Sequence, residues 1–210
     1  FDRKHFAKAR EAGIDPADQL GIARPRFGFY GVVDERMDLD LLAYIADERP
    51  EWQLVIVGPV GKISPADLPR RPNLHYLGGK TYEELPRYLG GWDVALMPFA
   101  INESTRFISP TKTPEYLAGG RAVVSTPITD VIRHYGDLDA VKIAYDPAQF
   151  VEKCEQALAL PAGGEWLNAV DGALSQMSWD ETFRQMDAWI DKAIAKNGHS
   201  AASTITVRRS

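Results

Sequence analysis

The chain has 210 residues, with 24 Lys and Arg against 29 Asp and Glu and a net charge of −5, and carries enough apolar residues for a sizeable core. That mild acidity, with no basic cluster beyond Arg208-Arg209 and no aromatics interleaved with Lys or Arg, argues against a nucleic-acid partner. No apolar run is long enough to span a bilayer, and the single cysteine, Cys154, permits no internal disulfide, so a reducing cytoplasm is the expected location.

In chain order, the segments Phe27 to Val33, Trp52 to Val57, Leu74 to Leu77, Val94 to Pro98, Ala122 to Thr126 and Val141 to Tyr145 are short, continuous and β-rich, the pattern of strands buried on both faces. Helices are expected between them: Leu39 to Glu48 behind an Asp38 cap, Tyr82 to Leu89 after Thr81, Pro114 to Ala118, Ile128 to Tyr135, and Phe150 to Leu160 after Asp146-Pro147. Alternation of this kind builds a parallel sheet of about six strands with helices on both sides, a doubly wound α/β domain of Rossmann-like type. Cys154 falls within a helical pattern, where a lone thiol reads as a small core residue. A last stripe at Trp179, Phe183, Met186, Ile190 and Ala193 or Ile194 predicts an amphipathic helix that packs either on this sheet or on a partner outside the sequence. The Ser/Thr/Ala-rich end, 197–210, reads as a disordered tail or linker, and a chain opening on Phe1 is expected to be a piece of a longer protein.

Several motifs are decoys. Leu74 stands where a P-loop ending in Gly79-Lys80-Thr81 needs its first glycine, and Gly58-Pro59-Val60-Gly61-Lys62-Ile63 is too short and lacks the metal-binding hydroxyl. Gly28-Phe29-Tyr30-Gly31 lacks dinucleotide spacing. Asp38-Leu39-Asp40 and Asp137-Leu138-Asp139 match a metal-holding D-x-D, but the first opens a helix and reads as its cap, and the second lies in a turn. The four histidines have no ligand spacing, so no metal site is expected.

The most informative stretch is Ser109-Pro110-Thr111-Lys112-Thr113-Pro114-Glu115-Tyr116-Leu117-Ala118-Gly119-Gly120-Arg121-Ala122-Val123-Val124-Ser125-Thr126. A lysine and a glutamate stand at a helix entrance, where unpaired N–H groups favour anions, and a diglycine stops the helix before a β-branched run. This segment resembles the donor-binding helix of retaining GT-B glycosyltransferases of the group 1 type. The resemblance covers nearly the whole chain and is sharpest from Ser109 to Thr126.

It implies a nucleotide-diphospho-sugar donor, expected to be UDP- or GDP-linked, no cofactor, and an acceptor-binding domain in cis that ended just before Phe1. Residues 1–20 then form the interdomain linker, with room for a helix, and 21–196 the donor-binding domain. Glu115 and the adjoining Tyr116 would bind the donor, the carboxylate accepting from the ribose hydroxyls, and Lys112 would place a positive charge at the diphosphate. Ser109, Thr111 and Lys112 would form the phosphate cradle, because Pro110 has no N–H to give. Gly31 would let backbone approach the phosphates, and the loops holding Gly58 and Tyr82 would flank the base. Tyr82 either stacks on that base or packs a helix, and Arg36 is either a second phosphate ligand or a surface charge. Phe107 stands where many members carry an earlier glutamate, with Asn102 and Glu103 as its candidate substitutes. Two rival functions share the architecture: a sugar-nucleotide epimerase, for which no acid and base pair is evident, and a noncatalytic α/β interaction module.

Overall fold

The computed structural model describes residues 1–11, 15–105, 108–161, 163–177, 186–187 and 189–190. The chain falls into two units, Phe1–Gly172 and Ala173–Ser210. The second contributes the helical residues 186–187 and 189–190, so Met186 and Ile190 of the predicted stripe are helical, while Trp179, Phe183, Ala193, Ile194 and the tail lie outside the described residues.

All six anticipated strands form one parallel sheet: β1 (Arg26–Tyr30), β2 (Gln53–Val57), β3 (Leu74–Gly78), β4 (Val94–Met97), β5 (Ala122–Ser125) and β6 (Val141–Ile143), in the order β3-β2-β1-β4-β5-β6. That is the doubly wound order, with a reversal between β1 and β4. Phe27 pairs with both Leu54 and Val94, which places β1 at the centre of the sheet. Its five residues are all buried, as are those of β4 and β5, and this explains why these strands read as unbroken apolar runs rather than alternating ones.

Two strands end two or more residues before their expected runs do. β1 stops at Tyr30 because Gly31 takes φ +144° and carries the chain out of the sheet, leaving Val33 to pair only as an isolated bridge with Val60. β6 stops at Ile143, two residues short of exposed Tyr145.

The connecting helices are α3 (Leu39–Glu48), α4 (Leu85–Gly90), α5 (Lys112–Ala118), α6 (Thr129–Tyr135), α7 (Pro147–Leu158) and α8 (Glu165–Ser175), preceded by two short turns of helix, α1 (Arg3–Ala7) and α2 (Ala17–Leu20). Asp38 caps α3 by accepting from the Leu41 N–H at 2.9 Å, which accounts for the first D-x-D. Asp139, in the second, pairs with Lys142. Asp146 caps α7 with Pro147 in its first turn, and α7 buries Phe150, Val151, Cys154 and Ala157. Burial pushes the Cys154 thiol well above its ordinary value, so it packs as a small apolar group.

Three helices depart from expectation. The Tyr82 to Leu89 run divides into a 3-10 turn, Tyr82–Glu84, closed by a Thr81–Glu84 capping box, and then α4. α5 begins two residues before Pro114, since a proline in the first turn gives up an N–H that has no helical partner. α8 had no counterpart in the sequence reading; its Val170 and Leu174 are fully buried.

Candidate functional site

Because the chain leaves β1 and β4 toward opposite ends of the sheet, their carboxyl ends flank a crevice, and ligands of doubly wound sheets sit in such crevices. Gly31 lies there. Its N–H donates to Val57 O at 2.8 Å, and a Cβ on it would meet Lys112 Cε at 2.5 Å. A Cβ on Gly58, after β2, would fall 1.8 Å from the Gly31 carbonyl oxygen. The two glycines thus let the ends of β1 and β2 nest together while the stem of Lys112 lies across them.

The Lys112 ammonium sits 5.7 Å from the Phe29 ring centroid and 6.0 Å from that of Phe99, residues of β1 and of the loop after β4. These rings offer a cation–π environment but no hydrogen bond. Among the described residues Lys112 Nζ has no hydrogen-bond or ion-pair partner. Burial holds it below the ordinary lysine value and Arg36 adds to that, while Glu115 and Asp34 oppose it. The one fully buried side-chain polar atom without a partner among the described residues is Thr113 Oγ1, so the Lys112 ammonium keeps access to solvent.

One turn further along α5, Glu115 is only 8% exposed, and its Oε2 accepts from the Tyr30 hydroxyl at 2.7 Å. Oε1 accepts nothing among the described residues, and by the same reasoning it remains reachable by solvent. Burial raises the Glu115 carboxyl above its ordinary value; the Tyr30 hydrogen bond and the Lys112 charge act against that. An ammonium and a carboxylate, neither fully satisfied within the protein, therefore share one wall of the crevice. Such a pair suits a ligand with an anionic part and a hydroxyl-bearing part.

The other anticipated residues occupy different settings around this pair, and Tyr116 is walled off from the crevice. Arg36 gives Nε and Nη2 to buried Asp34 at 2.9 and 2.6 Å, so its charge reaches Lys112 partly neutralised. Ser109 and Thr111 are exposed just before α5, and Thr111 makes no side-chain cap. Tyr116 is fully buried, and its hydroxyl accepts from the Tyr30 N–H at 3.0 Å. Tyr82 stacks on His5, with centroids 4.4 Å apart and planes 11° apart, and stands edge-on to Phe6. A cleft of about 500 Å³ opens at the ends of β4 and β5, lined by Asn102 and Glu103 together with Ile101, Thr105 and Ile128. Phe107 lies outside the described residues.

Sequence reasoning missed Tyr30, Asp34, and the pair His5 and Phe6 as neighbours of the site. Tyr30 offered no signal, since an aromatic residue at the end of a buried strand reads as core. Asp34 and Arg36 stand two apart in a loop, a spacing that favours a local ion pair.

Comparison with known proteins places this geometry. TuaH of Bacillus subtilis (strain 168), whose name proposes it as a glycosyltransferase of teichuronic acid biosynthesis, is 26% identical over 163 residues, 76% of this chain and 41% of its own length. The chain thus spans less than half of that relative. Sucrose-phosphate synthase from Thermosynechococcus elongatus superposes with a TM-score of 0.69 at 19% identity, over 93% of this chain and 51% of its own. Anabaena Alr3699/HepE, solved with UDP and glucose, superposes with a TM-score of 0.64 at 13% identity, over 91% of this chain and 55% of its own. At these identities the structures establish a shared fold, that of one half of a GT-B protein. The family model described as glycosyl transferases group 1 matches residues 24–159, from just before β1 through α7, and the chain belongs to that family.

Proposed function

We propose that this chain is the donor-binding half of a retaining, metal-independent GT-B hexosyltransferase, whose donor is a UDP- or GDP-linked sugar. The observation that carries the reading is the solvent-reachable Lys112 ammonium, unpaired among the described residues, at the sheet reversal, with a buried Glu115 one helical turn away. As the bond between the sugar and the diphosphate breaks, negative charge gathers on the departing phosphate oxygens. An ammonium already partly desolvated against Phe29 and Phe99 stabilises that charge with little reorganisation. Arg36 adds a weaker, Asp34-tempered contribution. Glu115 anchors the ribose through Oε1, while Tyr116, behind it, fixes the end of β1. Gly31 lets the phosphates approach the backbone, Gly58 makes room for the Gly31 carbonyl, and Ser109 and Thr111 stand at the rim. The loops of Gly58 and Tyr82 flank the base.

The acceptor, and any group that activates it, come from the domain not represented in this sequence, so the chain alone binds donor and transfers little. TuaH is named for teichuronic acid biosynthesis, and the likeness supports a role in polysaccharide biosynthesis, with a cytoplasmic location as part of the same proposal. Among the described residues, no helix is long and apolar enough to cross a membrane.

Calorimetric titration of the full-length protein with UDP, GDP and ADP tests the reading, with Glu115→Ala beside the wild type. One nucleotide should bind saturably, and the substitution should weaken it by about 1 to 3 kcal/mol, the scale of a charge-assisted hydrogen bond. Binding unaffected by Glu115→Ala would overturn the role of that residue, and silence toward all three nucleotides would favour a noncatalytic module.

A further inference from the structure

We propose that Tyr30 is the positioning residue of the site: its hydroxyl ties down Oε2 of Glu115 so that Oε1 alone is presented to the ribose hydroxyls. This rests on the reading of Glu115 as the ribose ligand. Tyr30 is the last residue of the central strand, and two consecutive residues of α5 grip it. The Tyr30 N–H donates to the Tyr116 hydroxyl at 3.0 Å, and its hydroxyl donates to Glu115 at 2.7 Å. The ring itself is 3% exposed and confined by Tyr116, Trp92 and Phe6, with centroids 4.7, 5.8 and 6.0 Å away. The backbone is thus fixed at the root of the side chain, and the ring cannot swing without breaking the bond its hydroxyl makes to Glu115.

Packing alone does not account for the hydroxyl. Phenylalanine would fill the same space, and a buried hydroxyl costs free energy unless it finds an acceptor. The Glu115 carboxylate is that acceptor, and the bond constrains it in two ways. It fixes the carboxyl plane, since rotation about the terminal torsion would carry Oε2 off the hydroxyl. It also favours the ionised form, offsetting the burial that favours protonation. The other titratable side chains facing Glu115 are Lys112 and Tyr116 on its own helix, Tyr82 after β3, and His5 from the N-terminal segment. Of these Lys112 and His5 act in the same sense as Tyr30, but the Lys112 ammonium is also claimed by the diphosphate, and the His5 ring nitrogen is bonded to Tyr82 O rather than to the carboxylate. Tyr30 is the partner that stays with the carboxylate when ligand binds.

The test uses Tyr30→Phe, Glu115→Gln and the double variant in the full-length protein, titrated with the nucleoside diphosphate that binds wild type and with its 2′,3′-dideoxy form. Tyr30→Phe should weaken the ribonucleotide about tenfold at neutral pH, the effect of a lost hydrogen bond to a charged group. It should leave the dideoxynucleotide unchanged, because Oε1 then has no hydroxyl to meet. The acid limb of ribonucleotide binding should also move to higher pH, since the ionised carboxylate has lost a donor. The double variant should bind no more weakly than Glu115→Gln alone. Because the two nucleotides are compared within each variant, any uniform loss of folded protein cancels. Equal weakening of both nucleotides, with the acid limb unmoved, would reduce Tyr30 to packing and overturn the proposal. If Glu115→Gln leaves ribonucleotide binding intact, the ribose role of Glu115 falls first and the positioning role falls with it.

Discussion

The two ends of α5 are built on opposite plans. At its exit every backbone carbonyl in reach is answered. The Arg121 N–H returns to Tyr116 O and the Gly120 N–H to Leu117 O, while the Arg10 guanidinium bonds Ala118 O at 2.7 Å and Leu117 O at 3.4 Å. Arg10 is itself held by both oxygens of Asp171, at 2.9 and 2.8 Å, and Arg121 ties Leu89 O and Gly90 O. At the entrance, the Thr111 side chain makes no cap, the Lys112 ammonium has only aromatic faces beside it, and one Glu115 oxygen is open. Stability is therefore invested at the exit and chemical potential at the entrance. Substitutions at the two ends should separate those properties.

The largest effect is expected at the exit. Arg10→Ala removes charge-assisted bonds to two helix-terminal carbonyls and leaves Asp171 with Arg3 alone, at 3.1 Å, and should lower the unfolding free energy by about 3 kcal/mol in a urea titration while nucleotide affinity stays within twofold. The pH dependence sharpens this. Arg10 holds the Asp171 carboxyl below its ordinary 3.8, so the pair's stabilisation is complete above that value and is lost as pH falls through the lower folded value. The variant should accordingly lose less stability than wild type on acidification.

At the entrance the signs reverse. Lys112→Met should weaken nucleoside diphosphate binding about 10- to 100-fold, the range for a lost charge-assisted contact, yet raise the stability of the unliganded protein, because a desolvated ammonium is replaced by an apolar side chain. Burial depresses the folded value of Lys112 below 10.5, so between that folded value and 10.5 the unfolded chain holds more protons and wild-type stability rises with pH. The gap between Lys112→Met and wild type should shrink over that interval, measured by thermal denaturation of the nucleotide-free proteins. A destabilised Lys112→Met would mean that the ammonium is satisfied in the free protein.

The same contrast explains what was legible in the sequence. The exit could be read, because a diglycine before a β-branched run stops a helix by local backbone chemistry, and the four inner strands could be read because burial on both faces leaves continuous apolar runs, whereas the edge strands β3 and β6 are only half-buried and are legible from their β-rich composition. Lys112 and Glu115 could be singled out by their spacing at a helix start. Their partners could not. Tyr30 lies 85 residues from Glu115 in the chain and Arg10 lies 108 from Ala118, contacts made only once the sheet order sets β1 beside β4 and the N-terminal segment against α5. Stop signals are local, whereas the residues that aim and clamp the helix are set by topology.

The smallest predicted effect probes the residue between the two plans. Thr113 is fully buried, yet its hydroxyl finds no partner among the described residues, the only such side-chain atom there. It follows Lys112 and precedes Pro114, so it sits at the point where α5 passes from open entrance to packed core. A buried hydroxyl without an acceptor costs free energy that an isosteric methyl does not, and Thr113→Val should stabilise the nucleotide-free protein by about 1 kcal/mol. If the hydroxyl serves only the fold, nucleotide affinity stays unchanged and the gain persists when ligand is bound. If it turns toward bound phosphate, the gain in stability comes with a several-fold loss of affinity, and the boundary between entrance and exit moves one residue further into the helix. Denaturation with and without saturating nucleotide distinguishes the two results.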